Sequence, residues 1–236
     1  MARVLVTRPE PGATATARRL VAAGHDALVL PLSEIRALSP DLPPADAVDI
    51  VAATSANALR HLPPVASALL GKPCRTVGRK TAEAARRAGF TDVRAAAGDG
   101  AALAAMIAVA EPRGATVLYL CGRVRRPELE AALAEAGMKV LPVEVYDTCF
   151  PEPGQAVMIL AADPRPIDAV LLYSPESARA MAAIITLGGT PDTLAKASFL
   201  CLSEQVAAAL GTLGPVRTYV PVVPTEDALL ALLPPG

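Results

Sequence analysis

The chain has no tryptophan, and aromatic residues make up only 3% of its 236 positions. Its core must therefore be aliphatic, and a hydrophobic share of 53% supplies ample Ala, Val and Leu for one. Net charge is also missing, at −1. That excludes a basic field able to hold nucleic acid by counterion release, and no acidic block marks a solvated tail. Histidine occurs twice, at His25 and His61, far apart in the chain. The four cysteines, Cys74, Cys121, Cys149 and Cys201, are widely spaced and form no C-x-x-C pair. A metal centre, a redox dithiol and a Ser-His-Asp triad all lose ground, so no metal and no cofactor is expected. Cys121 and Cys201 read as buried thiols in strands. His25, in the turn after the first helix, and His61, late in another, read as surface or capping residues. The longest apolar run, Ala101 to Ala110, is too short to cross a bilayer, and MARVLVTRPE turns polar too early for a signal peptide. A soluble cytoplasmic protein is expected. No G-x-G-x-x-G follows a strand, no G-x-x-x-x-G-K-[ST] occurs and there is no G-x-S-x-G elbow, which weakens dinucleotide, P-loop and hydrolase readings. Glu83, Glu128, Glu130 and Glu135 read as solvated helix faces.

What is present is a repeated pattern. Residues 116–148, TVLYLCGRVRRPELEAALAEAGMKVLPVEVYDT, read as strand, Gly-bearing turn, helix and strand. Val117 to Leu120 suits a buried parallel strand. Pro127 fits a first helical turn, Leu129, Ala132, Leu133 and Ala136 fall at helical spacing, and Gly137 is placed to end the helix. Residues 4–32 repeat this short unit: Leu20 to Gly24 matches Leu133 to Gly137, and both second strands carry a Leu-Pro step. A longer unit of three strand–helix repeats begins at Asp46, with strands at 48–54, 75–77 and 93–96. It recurs from Asp168, with strands at 168–173, 198–202 and 216–220. DAVLLYSPESARAM parallels DIVAATSANALRHL. The order is short, long, short, long. Strand–helix alternation predicts parallel sheets with helices on both faces, and two strands plus three give five per domain. The repeats fit two assignments, tandem domains (1–112 and 113–236) or interleaved ones. Pro-rich polar stretches at 33–45 and 147–166, read as two chain crossings, favour interleaving.

In such sheets ligands bind beyond the carboxyl ends of the strands. The exits there are rich in Ser, Thr and Gly with some Arg, and helix N-termini beside them offer free N–H groups to carboxylates or phosphates. Each Ser or Thr is also simply a good helix cap. Tyr146 is different: it follows a strand and opens the second crossing, where either a functional role or packing of the linker would explain it.

The segments VLVTRPE, ATSANAL, TVGRKTAEAARRAGF, LYLCGRVRRPELEAALAEAGMKVLPVEVYDT, LLYSPESARAM and CLSEQVAAAL, in this order and spacing, resemble the uroporphyrinogen-III synthase family over essentially the whole chain. The resemblance implies an α/β fold of two similar domains, each a five-stranded parallel sheet with helices on both faces, interleaved in sequence and joined by a two-stranded linker. Residues 1–33 plus 151–236 would form one domain and 37–145 the other. Residues 34–36 and 146–150 would be the linker strands, and the active site would lie between the domains. The implied reaction is cofactor-free: hydroxymethylbilane, a linear tetrapyrrole with eight carboxylates, loses its terminal hydroxyl as water, inverts ring D and closes to the III isomer. Tyr146 matches the family's linker tyrosine, the candidate proton donor. Thr81 matches the threonine of a V-G-x-x-T-A segment, Ser55 and Ser174 match serines after the first strand of each long unit, and Arg8 and Arg123 match basic positions lining the cleft. Ser203 stands in a loop where the family often has Gly-Pro-Thr-Thr-Ala. Here Glu204 follows it, and would repel a substrate carboxylate unless turned away.

Expelled by its pyrrole nitrogen, the hydroxyl leaves an azafulvene-type cation that closes spontaneously to the I isomer. The protein's main task is therefore conformational, to fold the bilane so that ring D is attacked at its substituted carbon through a spiro intermediate. Proton assistance is secondary, so no conspicuous catalytic cluster is needed. The expected partners are the bilane and, transiently, the preceding pathway enzyme. Neither nucleic acid nor membrane is expected, and the state is a monomer. The alternatives are a non-catalytic two-domain polycarboxylate-binding protein and, third, a nucleotide-dependent transferase.

Overall fold

The computed structural model describes residues 1–188, 192–211 and 217–234. In chain order the elements are β1 (Arg3–Val6), α1 (Gly12–Ala22), β2 (Asp26–Val29), β3 (Glu34–Ala37), β4 (Ile50–Ala53), α2 (Ala56–Arg60), β5 (Cys74–Val77), α3 (Gly78–Ala88), β6 (Val93–Ala96) and α4 (Gly100–Ala110). They continue with β7 (Thr116–Gly122), α5 (Glu128–Glu135), β8 (Lys139–Cys149), α6 (Pro153–Ala162), β9 (Ala169–Leu172), α7 (Pro175–Gly188), β10 (Ser198–Cys201), α8 (Glu204–Ala208), β11 (Arg217–Tyr219) and α9 (Glu226–Leu230). Val216, expected in the last strand, lies outside the described residues. The chain separates into two compact units, Met1–Glu34 with Cys149–Gly236, and Ile35–Thr148.

The first unit holds a five-stranded sheet in the order β11-β10-β9-β1-β2, with every neighbouring pair parallel. Its two faces have separate aliphatic cores, as the period-2 alternation of strand side chains requires. Leu5, Val170, Leu172 and Phe199 pack with Leu160, Met181 and Ile184 from α6 and α7. Val4, Val6, Leu171 and Leu200 pack on the other face with Ala13 and Leu20 of α1 and Leu229 of α9. Helices therefore cover both faces, which is why the central strands β1 and β9 are buried along their whole length.

The second unit holds a six-stranded sheet, β3-β8-β7-β4-β5-β6. The five strands from β8 to β6 are parallel, and β3 adds a sixth at the edge. Val51, Ala53, Leu118 and Leu120 face a core completed by α2 and α3 (Leu59, Ala84, Ala85). Ile50, Ala52, Val117 and Tyr119 face one completed by α4 and α5 (Leu103, Ile107, Leu129, Leu133). In the two matched short units Gly24 and Gly137 end α1 and α5 at φ 83° and 80°, a left-handed conformation that side chains resist and glycine adopts freely.

Three local expectations change. The segment 147–166 is not a bare crossing: β8 runs on to Cys149 and α6 fills Pro153–Ala162. Pro153 sits in the first turn, where its missing N–H costs nothing, and Ala156 and Leu160, one helical step apart, are buried. His25 is buried, 8% exposed, because its Nδ1 accepts the Ala2 N–H at 3.2 Å and closes the start of β1. Finally, the two Leu-Pro steps are not equivalent, since Leu30-Pro31 lies past the end of β2 and Leu141-Pro142 lies inside β8.

Candidate functional site

In the second unit the chain leaves β4 for β5 and β6 on one side, then returns to β7 on the other side of β4. The crevice beyond the carboxyl ends of β4 and β7 is thus the switch point, where open α/β sheets bind ligands. A cavity of about 280 Å³ opens there. Its polar wall includes Thr54 after β4, Tyr119 and Gly122 of β7, Arg125 and Arg126 before α5, and Tyr146 of β8. The start of α4 closes another side with Gly100 and Ala101.

The lining combines an uncharged pair, Tyr119 and Thr54, with two arginines, Arg125 and Arg126, and two carboxylates, Asp99 and Glu128. Tyr119 is 2% exposed, and its hydroxyl shares a 2.9 Å hydrogen bond with Thr54 Oγ1. Burial raises the Tyr119 phenol above its ordinary range, more than the Thr54 hydrogen bond lowers it, so it stays protonated. Arg125 donates to Glu130 at 2.7 Å and Glu144 at 2.9 Å, and these carboxylates consume its charge. Its affinity for its proton rises, through the Glu130 hydrogen bond first. Arg126 is exposed and makes no ion pair with any described residue, which leaves it the cation available in this lining. Cys121, near the end of β7, is pushed up to about 11 by burial, and Cys74 and Cys201 to about 12. These thiols are inert as nucleophiles near neutral pH.

The expected residues fall into distinct environments. Tyr146 is half-buried, lies within β8 rather than after it, and lines this cavity. Arg123 does not line it. Exposed, it is held by Glu144 at 3.5 Å and Asp147 at 2.8 Å. Ser55 caps α2, its Oγ accepting the Asn57 N–H at 3.2 Å. Thr81 is buried in the first turn of α3, and its hydroxyl makes no hydrogen bond to a described residue.

In the first unit Arg8 is similarly engaged. Its guanidinium stacks 4.4 Å over the Tyr173 ring and pairs with Glu226 at 3.2 Å. Arg19, Thr16 and Tyr173 also donate to the Glu226 carboxylate. Ser174 and Ser177 cap α7 reciprocally, each hydroxyl accepting the other's N–H at 3.1–3.2 Å. Ser203 stands before α8 with no cap hydrogen bond from its side chain, and Glu204 is exposed.

A family model described as uroporphyrinogen-III synthase HemD matches residues 14–231. The chain belongs to the uroporphyrinogen-III synthase family. Two solved structures share its fold: uroporphyrinogen-III synthetase from Helicobacter pylori, with 17% identity, a TM-score of 0.69 and 98% of each chain covered, and a mutant uroporphyrinogen III synthase from Thermus thermophilus, with 22% identity, a TM-score of 0.52, and 98% of this chain and 95% of that one covered. No curated protein sequence matches the chain. The family's activity is that of a cyclising hydro-lyase. Within this synthase, Thr54, Tyr119, Arg125 and Arg126 line the switch-point cavity, and the sequence did not single them out. Tyr119 sits in an apolar strand and reads as core, and only its cross-strand partner Thr54 reveals the polar end.

Proposed function

We propose that the switch-point cavity of the second unit is where this synthase handles the reacting end of hydroxymethylbilane, with Tyr146 as the proton donor to the departing hydroxyl. One observation carries the reading: Tyr146 brings a phenol to the wall of a cavity that also holds a buried Tyr–Thr pair and two arginines, with Asp99 and Glu128 at the helix starts beside them. Ligand pockets commonly measure about 300–1,000 Å³, so a cavity of about 280 Å³ accommodates part of an eight-carboxylate bilane rather than all of it. The pyrrole nitrogen expels the hydroxyl, Tyr146 protonates it as it leaves as water, and the resulting azafulvene-type cation is trapped at the substituted carbon of ring D. The spiro intermediate then opens and recloses with ring D inverted. The protein contributes chiefly the bound conformation.

The proposed carboxylate contacts are Ser55, Thr81 and Arg123 of the second unit and Arg8, Ser174 and Ser203 of the first. Among them Thr81 and Ser203 have hydroxyls not already used as helix caps. We also assign residues 1–33 with 151–236 and 37–145 as the domains, and 34–36 and 146–150 as linker strands. The division of the chain at Glu34 and Cys149 supports that assignment. The working form is a monomer that receives bilane from the preceding enzyme by transient contact. Family membership supports a cytoplasmic location, and no helix among the described residues is long and apolar enough to cross a membrane.

The test is Tyr146→Phe, assayed by the ratio of III to I product against time with the spontaneous reaction in parallel. General acid assistance is worth about 10²–10⁴-fold, and the pyrrole's own push places the expected loss at the lower end, with III still the enzymatic product. A full wild-type rate removes Tyr146 as donor and leaves it a packing group.

A further inference from the structure

We infer that Gly122, acting with a β-bulge at Val145, is a positioning residue that aims the Tyr146 phenol into the cavity; this rests on the reading of Tyr146 as proton donor. Along β7 and β8 the pairing runs regularly to Cys121 opposite Glu144, then jumps to Gly122 opposite Tyr146. Val145 is the extra residue of a bulge, a device that re-aims the side chain following it. Leu141, Val143 and Val145 all face the core beneath α2 and α3. Strict alternation would send Tyr146 away from that core, yet it packs against it too. It also lines the cavity with Tyr119 and Leu129, which belong to the opposite core. The ring thus lies across the end of β7 and reaches both sides of the sheet.

It can do so because residue 122 has no side chain. A Cβ there would stand 2.6 Å from Tyr146 Cζ, 2.8 Å from Cε2 and 2.9 Å from the hydroxyl oxygen. Gly122 is not among the glycines with positive φ, so space rather than backbone conformation requires it. The main chain around the ring is pinned. The Arg123 N–H donates to the Tyr146 carbonyl at 3.0 Å and the Leu38 N–H to the Val145 carbonyl at 2.9 Å. A methyl group at 122 is therefore relieved by swinging the phenol, which displaces the hydroxyl from its place at the cavity mouth.

The experiment is a pair of double-mutant cycles on the full chain. In the rate cycle, Gly122→Ala is expected to lower kcat by about as much as Tyr146→Phe, on the order of 10²-fold, with KM for hydroxymethylbilane changed less than about 3-fold. Added to Tyr146→Phe, which has already lost the hydroxyl, it is expected to cost less than about 3-fold more. In the stability cycle, Gly122→Ala lowers the melting temperature in the wild-type background, and by much less beside Tyr146→Ala, where the ring is gone. Rate losses that multiply, or a Gly122→Ala chain that fails to fold in the Tyr146→Ala background as well, overturn the inference. A full rate for Tyr146→Phe alone removes the donor reading, and the stability cycle still decides whether Gly122 exists to seat the ring.

Discussion

Single hydroxyls separate capping from binding. Ser55 accepts the Asn57 N–H, so Ser55→Ala should cost about 1 kcal/mol of stability, the usual worth of such a cap, and raise KM for the bilane less than a substitution at Thr81 does. Thr81 makes no hydrogen bond to a described residue, so Thr81→Val, which keeps its shape, should cost little stability and raise KM several-fold, a neutral hydrogen bond being worth roughly 0.5–1.5 kcal/mol. Denaturant titration and steady-state kinetics on both variants check this; equal KM effects would contradict it. Individual residues were unevenly legible. Tyr146 drew attention because tyrosine is scarce and it ends an apolar run. Tyr119 did not, since Val117 to Leu120 reads as an unbroken buried strand, and Thr54, 65 residues away, meets it only in the folded sheet. Arg8 and Arg123 matched basic positions of the family, but their partners Glu226, Glu144 and Asp147 follow from packing rather than spacing.

At the scale of elements, the strand–helix rhythm was readable because buried parallel strands are short apolar runs and the helices between them end at glycines. What escaped were features set by neighbours. The edge strand β3, Glu34–Ala37, is too short and too exposed to stand out by its own pattern, is expected at 34–36 only through the family resemblance, and lies beside β8. The bulge at Val145 is visible only in register. α6 was obscured by the prolines around it. The short helix α9 is tied down through Glu226. Burial favours the neutral form of that carboxyl, but the Thr16 hydrogen bond and the Arg8 and Arg19 charges outweigh it, and the net pKa falls below the ordinary 4.5. A depressed carboxyl contributes stability that is complete above its unfolded pKa and is lost as pH falls through the folded value. The protection of α9 amides against hydrogen exchange, taken relative to the intrinsic rate at each pH, should therefore fall below pH 4.5. Glu226→Gln should exchange faster at neutral pH and respond less to acid. An unchanged acid profile in that variant would remove the network as the anchor.

For the whole molecule, the two-unit division predicts fragment behaviour. Residues 35–148 contain every strand from β4 to β8 and should unfold cooperatively alone. Residues 1–112 lack β7, the neighbour of β4, and β9, the neighbour of β1, so they should show no sharp thermal transition. A cooperative 1–112 fragment would favour tandem domains. Among the described residues no group of three or more His, Cys, Asp or Glu is placed to hold a metal ion, and activity should survive exhaustive chelation; loss restored by one divalent ion would contradict this. The central claim is that the protein imposes a bilane conformation that solution chemistry does not favour. Freshly made hydroxymethylbilane incubated with the wild-type chain, with isomers separated after oxidation, tests it most directly. The account predicts predominantly the III isomer, formed well ahead of the spontaneous background; only the I isomer, at the spontaneous rate, would contradict it.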